Sequence, residues 1–272
     1  ENFMEEKQIH QTAAKGFGTV EMAKHYDSIR PSFSTESISF METLLKGHVV
    51  ELGAGTGIQT KWLSEFDCEI TTTEPVEGMF HQLKSLVNDI SGNRTKKIIA
   101  VQSSAENIPA EDNSIDAVFV AQAFHWFDLE KAIKEIHRVL KKDGVLVLAW
   151  NIGNTDGSIS WYKECEDVIA IHQPKGTPQY RDMLWKIPFD DEDSIAQQLF
   201  TPLQMKSFSN DVACSRDKFI ARVVSTSFIA LMDEETRNRE IIQPILTICD
   251  THNLPDEFAY PYISYVYSCR AK

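Results

Sequence analysis

The sequence lacks the features of a secreted, disulfide-stabilised or membrane-spanning protein. Its five cysteines are scattered, odd in number and never spaced as C-x-x-C, which is typical of reduced thiols in a cytoplasmic protein. No apolar run approaches the roughly 20 residues of a membrane span, and the first residues show no basic-then-apolar secretory pattern. We therefore expect a cytoplasmic location and no membrane partner.

Positive charge is also scarce. The chain has 40 acidic residues against 27 lysines and arginines, a formal net charge of −13, which repels a phosphate backbone and disfavours nucleic acid as a partner. We find no P-loop, no nucleophile elbow and no metal-ligand spacing of His, Cys and carboxylates, so we expect no metal. The length of 272 residues with 42% hydrophobic content is sufficient for one large core.

Short apolar runs alternate with amphipathic stretches through the first half of the chain. The runs are 48–52, 69–73, 98–102, 115–121 and 144–150, and the helical patterns are 60–65, 76–88 and 129–140. This alternation predicts an α/β fold with parallel strands and crossover helices. Strand-like alternation returns at 205–215 and 258–270 and predicts a final antiparallel pair.

The composition divides the chain into four predicted parts. They are an N-terminal helical cap at 1–34, a core at 35–150, an insertion at 151–200 and a C-terminal part of the core at 201–272. The insertion is long, polar and aromatic, as substrate lids often are. Its Trp161, Tyr162, His172 and Tyr180 either shape a pocket for a substrate or pack as an ordinary core.

A glycine-rich turn follows the first predicted strand, where Val49 to Gly57 reads V-V-E-L-G-A-G-T-G. Open α/β sheets bind ligands at the carboxyl ends of their strands, and glycine allows close approach of the backbone. The spacing is G-x-G-x-G rather than the dinucleotide pattern G-x-G-x-x-G, because Ile58 replaces the third glycine. By itself, this turn is compatible with many nucleotides.

Two acids narrow the choice of ligand. Glu51 precedes the turn and Glu74 ends the second strand, whereas the turn carries no Lys or Arg for a pyrophosphate. A cationic nucleoside such as S-adenosylmethionine fits this charge, with Glu51 near its amino-acid end and Glu74 accepting both ribose hydroxyls. The alternative for Glu74 is an exposed carboxylate at a strand end.

Several ordered segments resemble one family, the class I S-adenosylmethionine-dependent methyltransferases, and especially its trans-aconitate and quinone-biosynthesis members. The segments are Y-D-S-I-R-P at 26–31, E-L-G-A-G-T-G at 51–57, T-E-P at 73–75 with Met79, S-A-E-N-I-P at 104–109, I-D-A-V at 115–118, A-Q-A-F-H-W-F at 121–127 and R-V-L-K-K-D-G at 138–144. The resemblance implies a Rossmann-like, seven-stranded, mostly parallel sheet with an antiparallel final strand, helices on both faces and a helical insertion after the fifth strand.

The resemblance also implies the cofactor, S-adenosylmethionine, and the residues that contact it. In this family the Ala105-Glu106 pair lies beside the adenine, Ala121 and Gln122 contact the methionine portion, and Tyr26 belongs to a cap that closes over the same end. The candidate cofactor-binding residues are Tyr26, Glu51, Gly53, Ala54, Gly55, Thr56, Gly57, Glu74, Pro75, Met79, Ser104, Ala105, Glu106, Ala121 and Gln122. Alternatively, Glu106 is a solvated loop charge and Met79 an ordinary core residue.

The expected activity is methyl transfer to a small-molecule acceptor, with S-adenosylhomocysteine released and the methylated atom left open. His125 is the candidate base, because it follows the fourth strand and imidazole titrates near neutral pH; a histidine there alternatively serves only as a hydrogen-bonding partner of the backbone. Other hypotheses are a macromolecular acceptor, such as tRNA or protein, and a non-catalytic S-adenosylmethionine-binding module. The glycine spacing disfavours an NAD-dependent oxidoreductase.

Overall fold

The computed structural model describes residues 32–92, 95–154, 158–175 and 180–272. Its strands are β1 (Gly47–Leu52), β2 (Cys68–Thr73), β3 (Ile98–Val101), β4 (Ile115–Ala121), β5 (Leu140–Gly153), β6 (Gln204–Ser215) and β7 (Glu257–Arg270). Its α-helices are α1 (Thr35–Leu44), α2 (Ile58–Leu63), α3 (Glu77–Ser91), α4 (Leu129–Val139), α5 (Ser160–Ile171), α6 (Ile187–Asp190), α7 (Ile195–Leu199), α8 (Arg216–Val224), α9 (Ser227–Ala230), α10 (Glu234–Arg237) and α11 (Gln243–Thr251). Short 3₁₀ turns occur at Phe124–Trp126, Tyr180–Asp182 and Leu184–Lys186, and a π-helical turn, Asn238–Ile242, joins α10 to α11.

All seven strands form one sheet in the order β3-β2-β1-β4-β5-β7-β6. The first five run parallel, and β7 is antiparallel to both β5 and β6. The predicted seven-stranded, mostly parallel sheet with an antiparallel final strand is therefore confirmed. The polar triplet 141–143, which suggests a turn before the fifth strand, instead lies within β5.

Helices cover both faces of the sheet and produce two apolar cores. Side chains alternate between the faces along a strand, so in β4 Val118 and Val120 join one core while Ala117 and Phe119 join the other. The continuous apolar run of β4 follows from this double cover. The loops at the carboxyl edge of the parallel strands are thus held on a rigid frame.

A third core lies in a helical layer beyond the end of β5. It contains Tyr162 and Cys165 of α5, Phe219 of α8, Ile245 of α11 and Tyr260 of β7. The sequence patterns did not predict helices α8–α11 between the last two strands. Because α5 packs with them, this layer is built from both sides of residue 200, and the four-part division of the chain stays a prediction.

The described chain starts beside the carboxyl end of β5. The carbonyl of Ser32 accepts hydrogen bonds from the side-chain amides of Asn151 (3.2 Å) and Asn210 (2.9 Å). The predicted cap, including Tyr26, lies outside the described residues except for its last three positions. Within the described part of the chain, every helix is too short or too polar to cross a lipid bilayer.

Candidate functional site

The glycine turn connects β1 to α2 at the carboxyl edge of the sheet. Gly57 has a φ of +94°, and a Cβ there would lie 2.5 Å from Leu86 Cδ2, so the left-handed backbone and the packing both favour glycine. Gly55 has a φ of +61°, but the nearest described atom to its missing Cβ, neighbours aside, is Met79 Sδ at 4.0 Å. The described residues therefore leave open space above Gly55, where a ligand can approach the backbone.

The rest of the turn is tied to the neighbouring strand. Gly53 also has a positive φ, and a Cβ there would lie 2.8 Å from that of Ala123. The backbone N–H of Ala54 donates to the carbonyl of Thr73 (2.9 Å), and Thr56 is buried. These contacts fix the shape of the turn against the end of β2.

Glu74 reaches this turn, as its position in the sequence predicts. Its Oε2 accepts from the backbone N–H of Gly55 (2.8 Å) and its Oε1 from that of Val76 (2.9 Å). Burial raises the pKa of Glu74, and the hydrogen bonds from the two backbone N–H groups partly oppose this rise. With only 4% of its surface exposed, it is not the exposed strand-end carboxylate of the alternative interpretation. Each oxygen keeps a further lone pair for a hydroxyl group.

Glu51 lies beneath the turn and makes internal contacts. Its Oε2 accepts hydrogen bonds from Thr60 Oγ1 (2.6 Å) and Thr72 Oγ1 (2.8 Å), which connect β1 to α2 and β2. Burial raises the pKa of Glu51 to about 7; the two threonine bonds oppose this rise and the charge of Glu74 adds to it. This edge of the sheet thus holds two buried acids and favours a cationic ligand.

Glu106, the acidic residue of the S-A-E-N-I-P segment, is part of a helix start. Its Oε1 accepts from the backbone N–H of Asp128 (3.0 Å), the N-cap residue of α4. Ala105 beside it is buried, and the carbonyl of Ser104 accepts from Asn107 N (3.2 Å). Glu106 is therefore a bonded side chain at a fixed position rather than a freely solvated charge.

Pro75 and Met79 lie where β2 leads into α3. Pro75 directly follows Glu74, its carbonyl accepts from Gln102 Nε2 (3.3 Å), and Met79 borders the space above Gly55. Both side chains are partly exposed, so Met79 is not a fully buried core residue. An apolar surface of this kind beside a glycine turn suits the face of a planar ring.

Gln122 links the ends of β4 and β5. It has a positive φ of 61°, a conformation that costs a non-glycine residue about 1–2 kcal/mol. Its backbone N–H donates to the carbonyl of Ala149 (2.9 Å), and its Nε2 donates to that of Asn151 (3.1 Å). Ala121, just before it, is buried in the sheet core. The strained turn therefore places a polar side chain between the glycine turn and the end of β5.

His125 lies in the 3₁₀ turn Phe124–Trp126, where its Nδ1 accepts from Trp150 Nε1 at 3.3 Å. This bond leaves the ring proton on Nε2, and burial lowers the pKa of His125 to about 4. The ring is therefore neutral at pH 7 and its acceptor nitrogen is occupied. The geometry favours the structural alternative, with a tryptophan side chain as the partner in place of the backbone.

The aromatic residues of the predicted insertion divide between core and cavity. Trp185 is buried, with its ring centroid 4.3 Å from that of Trp150, and Tyr162 and Trp161 pack in the third core. Tyr180 instead lines a cavity. His172 lies at the end of α5, 3.6 Å from Glu240.

This cavity, of about 190 Å³, begins at Asn151–Gly153 and extends between α5 and α8. Four charged side chains that no sequence motif marks line it: Glu166, Arg181, Asp182 and Arg222. Arg181 forms an ion pair with Glu166 and donates to Tyr162 Oη (2.9 Å). One sequence signal was present, since Arg222 follows the buried Phe219 by three positions and so occupies an otherwise apolar helix face.

Comparison with known proteins finds a family match for the part of the chain that contains the glycine turn and both acids. Residues 50–148 match the model of a methyltransferase domain. An uncharacterized methyltransferase of Mycobacterium tuberculosis is 36% identical over 145 residues, 53% of this chain and 56% of that protein, so the match spans little more than half of that relative. An uncharacterized methyltransferase of Schizosaccharomyces pombe is 26% identical over 247 residues, 89% of this chain and 92% of that protein.

Solved structures agree on the fold. The YcgJ protein of Bacillus subtilis superposes with a TM-score of 0.54 at 18% identity, covering 87% of this chain and 98% of that one. Together with the glycine turn and its two acids, the family match confirms the resemblance to S-adenosylmethionine-dependent methyltransferases. The likeness to the trans-aconitate and quinone-biosynthesis members stays a prediction. Residues 50–148 form a methyltransferase domain of the class I S-adenosylmethionine-dependent family.

Proposed function

We propose that the protein transfers the methyl group of S-adenosylmethionine to a small-molecule acceptor held in the cavity at the end of β5. The observation that carries this proposal is that a space for the methyl donor and a cavity for the acceptor lie at the same edge of the sheet. The open space above Gly55 lies at the end of β1, and the cavity begins two strands away at Asn151. At a strand spacing of about 4.8 Å, this separation is about 10 Å.

The residues at the donor end fit the proposed cofactor. A Cβ at position 55 would enter the space that a ligand needs, and Glu74 offers oxygens for the ribose hydroxyls. The buried charge of Glu51 and Glu74 supports a ligand that carries a sulfonium and an ammonium. Met79 borders this space, and Gln122 follows β4, the strand next to β1 in the sheet. The remaining candidate contacts, including Ser104, Glu106 and Tyr26, stay predictions.

The bound S-adenosylmethionine supplies the electrophilic methyl group, and the protein's contribution is position and exclusion of water. Gln122 and Asn151 fix the ends of β4 and β5 through the 3.1 Å hydrogen bond between them. Helices α5 and α8 enclose the acceptor. Because the acceptor nitrogen of His125 is occupied by Trp150, we propose that methyl transfer does not depend on proton removal by His125.

The dimensions of the cavity support a small acceptor over a macromolecular one. A volume of about 190 Å³ between two helices suits a metabolite, and the net charge of −13 opposes an approach by tRNA. A cell extract passed through a membrane that retains proteins and tRNA tests this point. We expect the methyl-accepting activity in the filtrate; activity confined to the retained fraction would establish a macromolecular acceptor instead.

Donor binding is tested by calorimetry with S-adenosylmethionine and with NADH. We expect binding of S-adenosylmethionine only, and a decrease in affinity of about 10- to 100-fold for Glu74→Gln, since a hydroxyl bond to a charged group contributes about 1.5–3 kcal/mol. Glu77→Gln, on the exposed first turn of α3, is the matched control and should bind normally. Tight NADH binding would reject the proposal, and donor binding without turnover on any extract would indicate a non-catalytic module.

A further inference from the structure

Arg222 is a partly buried cation without a carboxylate partner in the described structure. Its guanidinium lies over the rings of Tyr260 (4.6 Å to the centroid) and Tyr262 (5.0 Å), and Nη1 donates to Tyr260 Oη at 2.6 Å. Its Nε is buried and has no hydrogen-bond acceptor among the described residues. The ring contacts hold the cation in place but do not neutralise it.

The acids of the cavity are either engaged or exposed. The carboxylate of Glu166 is paired with Arg181 and also accepts from Tyr162 Oη at 2.8 Å. Asp182 belongs to an exposed turn at the cavity lining. Within the described ranges, no carboxylate lies within 4 Å of the Arg222 nitrogens, so the charge of Glu166 acts on this cation only from a longer distance.

A buried charge without a counter-ion is unfavourable, and so is a buried donor without an acceptor. A ligand in the cavity that carries negative charge would remove the first of these costs by supplying the missing counter-ion. The planar fork of arginine matches a carboxylate, with which it forms two parallel charge-assisted hydrogen bonds. We infer that the methyl acceptor carries a carboxylate group that binds to Arg222. This inference rests on the proposed function and adds the chemical class of the acceptor.

Binding of benzoate and benzamide tests the charge preference, because the two probes have nearly the same shape and differ in charge. Titration is carried out on the full chain saturated with S-adenosylhomocysteine. We expect benzoate to bind more tightly than benzamide, and Arg222→Met to weaken benzoate binding by about 10- to 100-fold while leaving benzamide unchanged. Equal binding of both probes to the wild type, or benzoate binding that Arg222→Met leaves unchanged, would overturn the inference.

Two further variants separate binding from folding. Arg239→Met removes an exposed arginine and should leave benzoate binding intact. Arg222→Lys keeps the charge without the planar fork and should give an intermediate affinity. A buried charge without a counter-ion is destabilising, so its removal eliminates a desolvation cost. We therefore expect the thermal midpoint of Arg222→Met to equal or exceed that of the wild type.

Fractionation of the natural acceptor gives an independent test. A metabolite extract is passed over an anion-exchange resin at neutral pH, and each fraction is assayed for release of S-adenosylhomocysteine. We expect acceptor activity in the retained fraction, unaffected by phosphatase treatment, with kcat/KM about 100-fold lower for Arg222→Met, mainly through KM. Activity in the flow-through, or its loss after phosphatase, would overturn a carboxylate acceptor. A lack of donor binding in calorimetry would instead reject the proposed function itself.

Discussion

The replacement Glu51→Gln is predicted to change how the stability of the protein depends on pH. The pKa of Glu51 is about 7 in the folded chain against an ordinary 4.5, chiefly because the carboxyl is buried. Between these two values the folded protein keeps a proton that the unfolded chain has released. The free energy of unfolding therefore falls as the pH rises from about 4.5 to 7, and this loss of stability is complete above the folded pKa.

The magnitude follows from the difference between the two pKa values, which is about 2.5. At about 1.36 kcal/mol for each pK unit, the full effect is about 3.4 kcal/mol, and about 2.5 kcal/mol of it falls between pH 5 and pH 8. Glutamine does not titrate in this range. We therefore expect the wild type to lose about 2.5 kcal/mol relative to Glu51→Gln between pH 5 and pH 8.

Urea denaturation at both pH values measures this difference. Any constant cost of the amide, such as a weaker bond to Thr60 or Thr72, is the same at both pH values and cancels in the comparison. Glu65→Gln, at an exposed position after α2, should follow the wild type within about 0.5 kcal/mol. If wild type and Glu51→Gln lose stability in parallel from pH 5 to pH 8, the reasoning about the buried carboxyl is wrong.

Three further substitutions test the site. Gly57→Ala places a Cβ 2.5 Å from Leu86 Cδ2 at a φ of +94° and should cost about 3 kcal/mol in urea denaturation. Gly92→Ala, whose added Cβ has no described atom within 4 Å beyond its chain neighbours, should cost almost nothing, and equal losses would contradict the packing. Gly55→Ala should cost only about 1–2 kcal/mol of stability but more than tenfold in S-adenosylmethionine affinity by calorimetry; unchanged affinity would place the ligand elsewhere. His125→Asn should leave the shape of the kcat/KM pH profile unchanged. If His125 were the general base, the substitution would lower kcat/KM by about 10²- to 10⁴-fold, and that result would contradict the prediction.

The parallel strands could be predicted from the sequence because each is covered on both faces. In β4 every residue but Asp116 is buried, so the apolar run is uninterrupted from Ala117 to Ala121 and its length is close to the strand length. β5 shows the limit of this reasoning. Lys141, Lys142 and Asp143 are exposed, yet the strand starts at Leu140, which pairs with Ile115 across a register shift.

The site residues were predictable where local spacing fixes their position and not where side chains meet over long distances. The spacing between Gly55 and Glu74 places both at the same edge of the sheet, and the structure joins them by one hydrogen bond. Arg222 lies on a helix that no motif marks. Its burial depends on Tyr260 and Tyr262, which β7 brings against it from 38 and 40 positions away. A single arginine in a helix is usually a surface residue.

The charge state of Glu51 links the stability prediction to donor binding. A cation bound above Glu51 and Glu74 favours their ionised forms and lowers their pKa values. Binding of S-adenosylmethionine near pH 6 should therefore release protons. For the same reason, the affinity of the protein for S-adenosylmethionine should rise from pH 5 to about 7. Calorimetry in two buffers with different ionisation enthalpies counts the protons. S-adenosylhomocysteine lacks the sulfonium charge and should release fewer, and Glu51→Gln should remove most of the release while Glu65→Gln does not. Among the described residues, the Glu51 carboxylate accepts hydrogen bonds from Thr60 and Thr72 alone. Proton release that depends on Glu51 would therefore show electrostatic action on the donor without direct contact, whereas a pH-independent affinity would restrict its role to support of the turn.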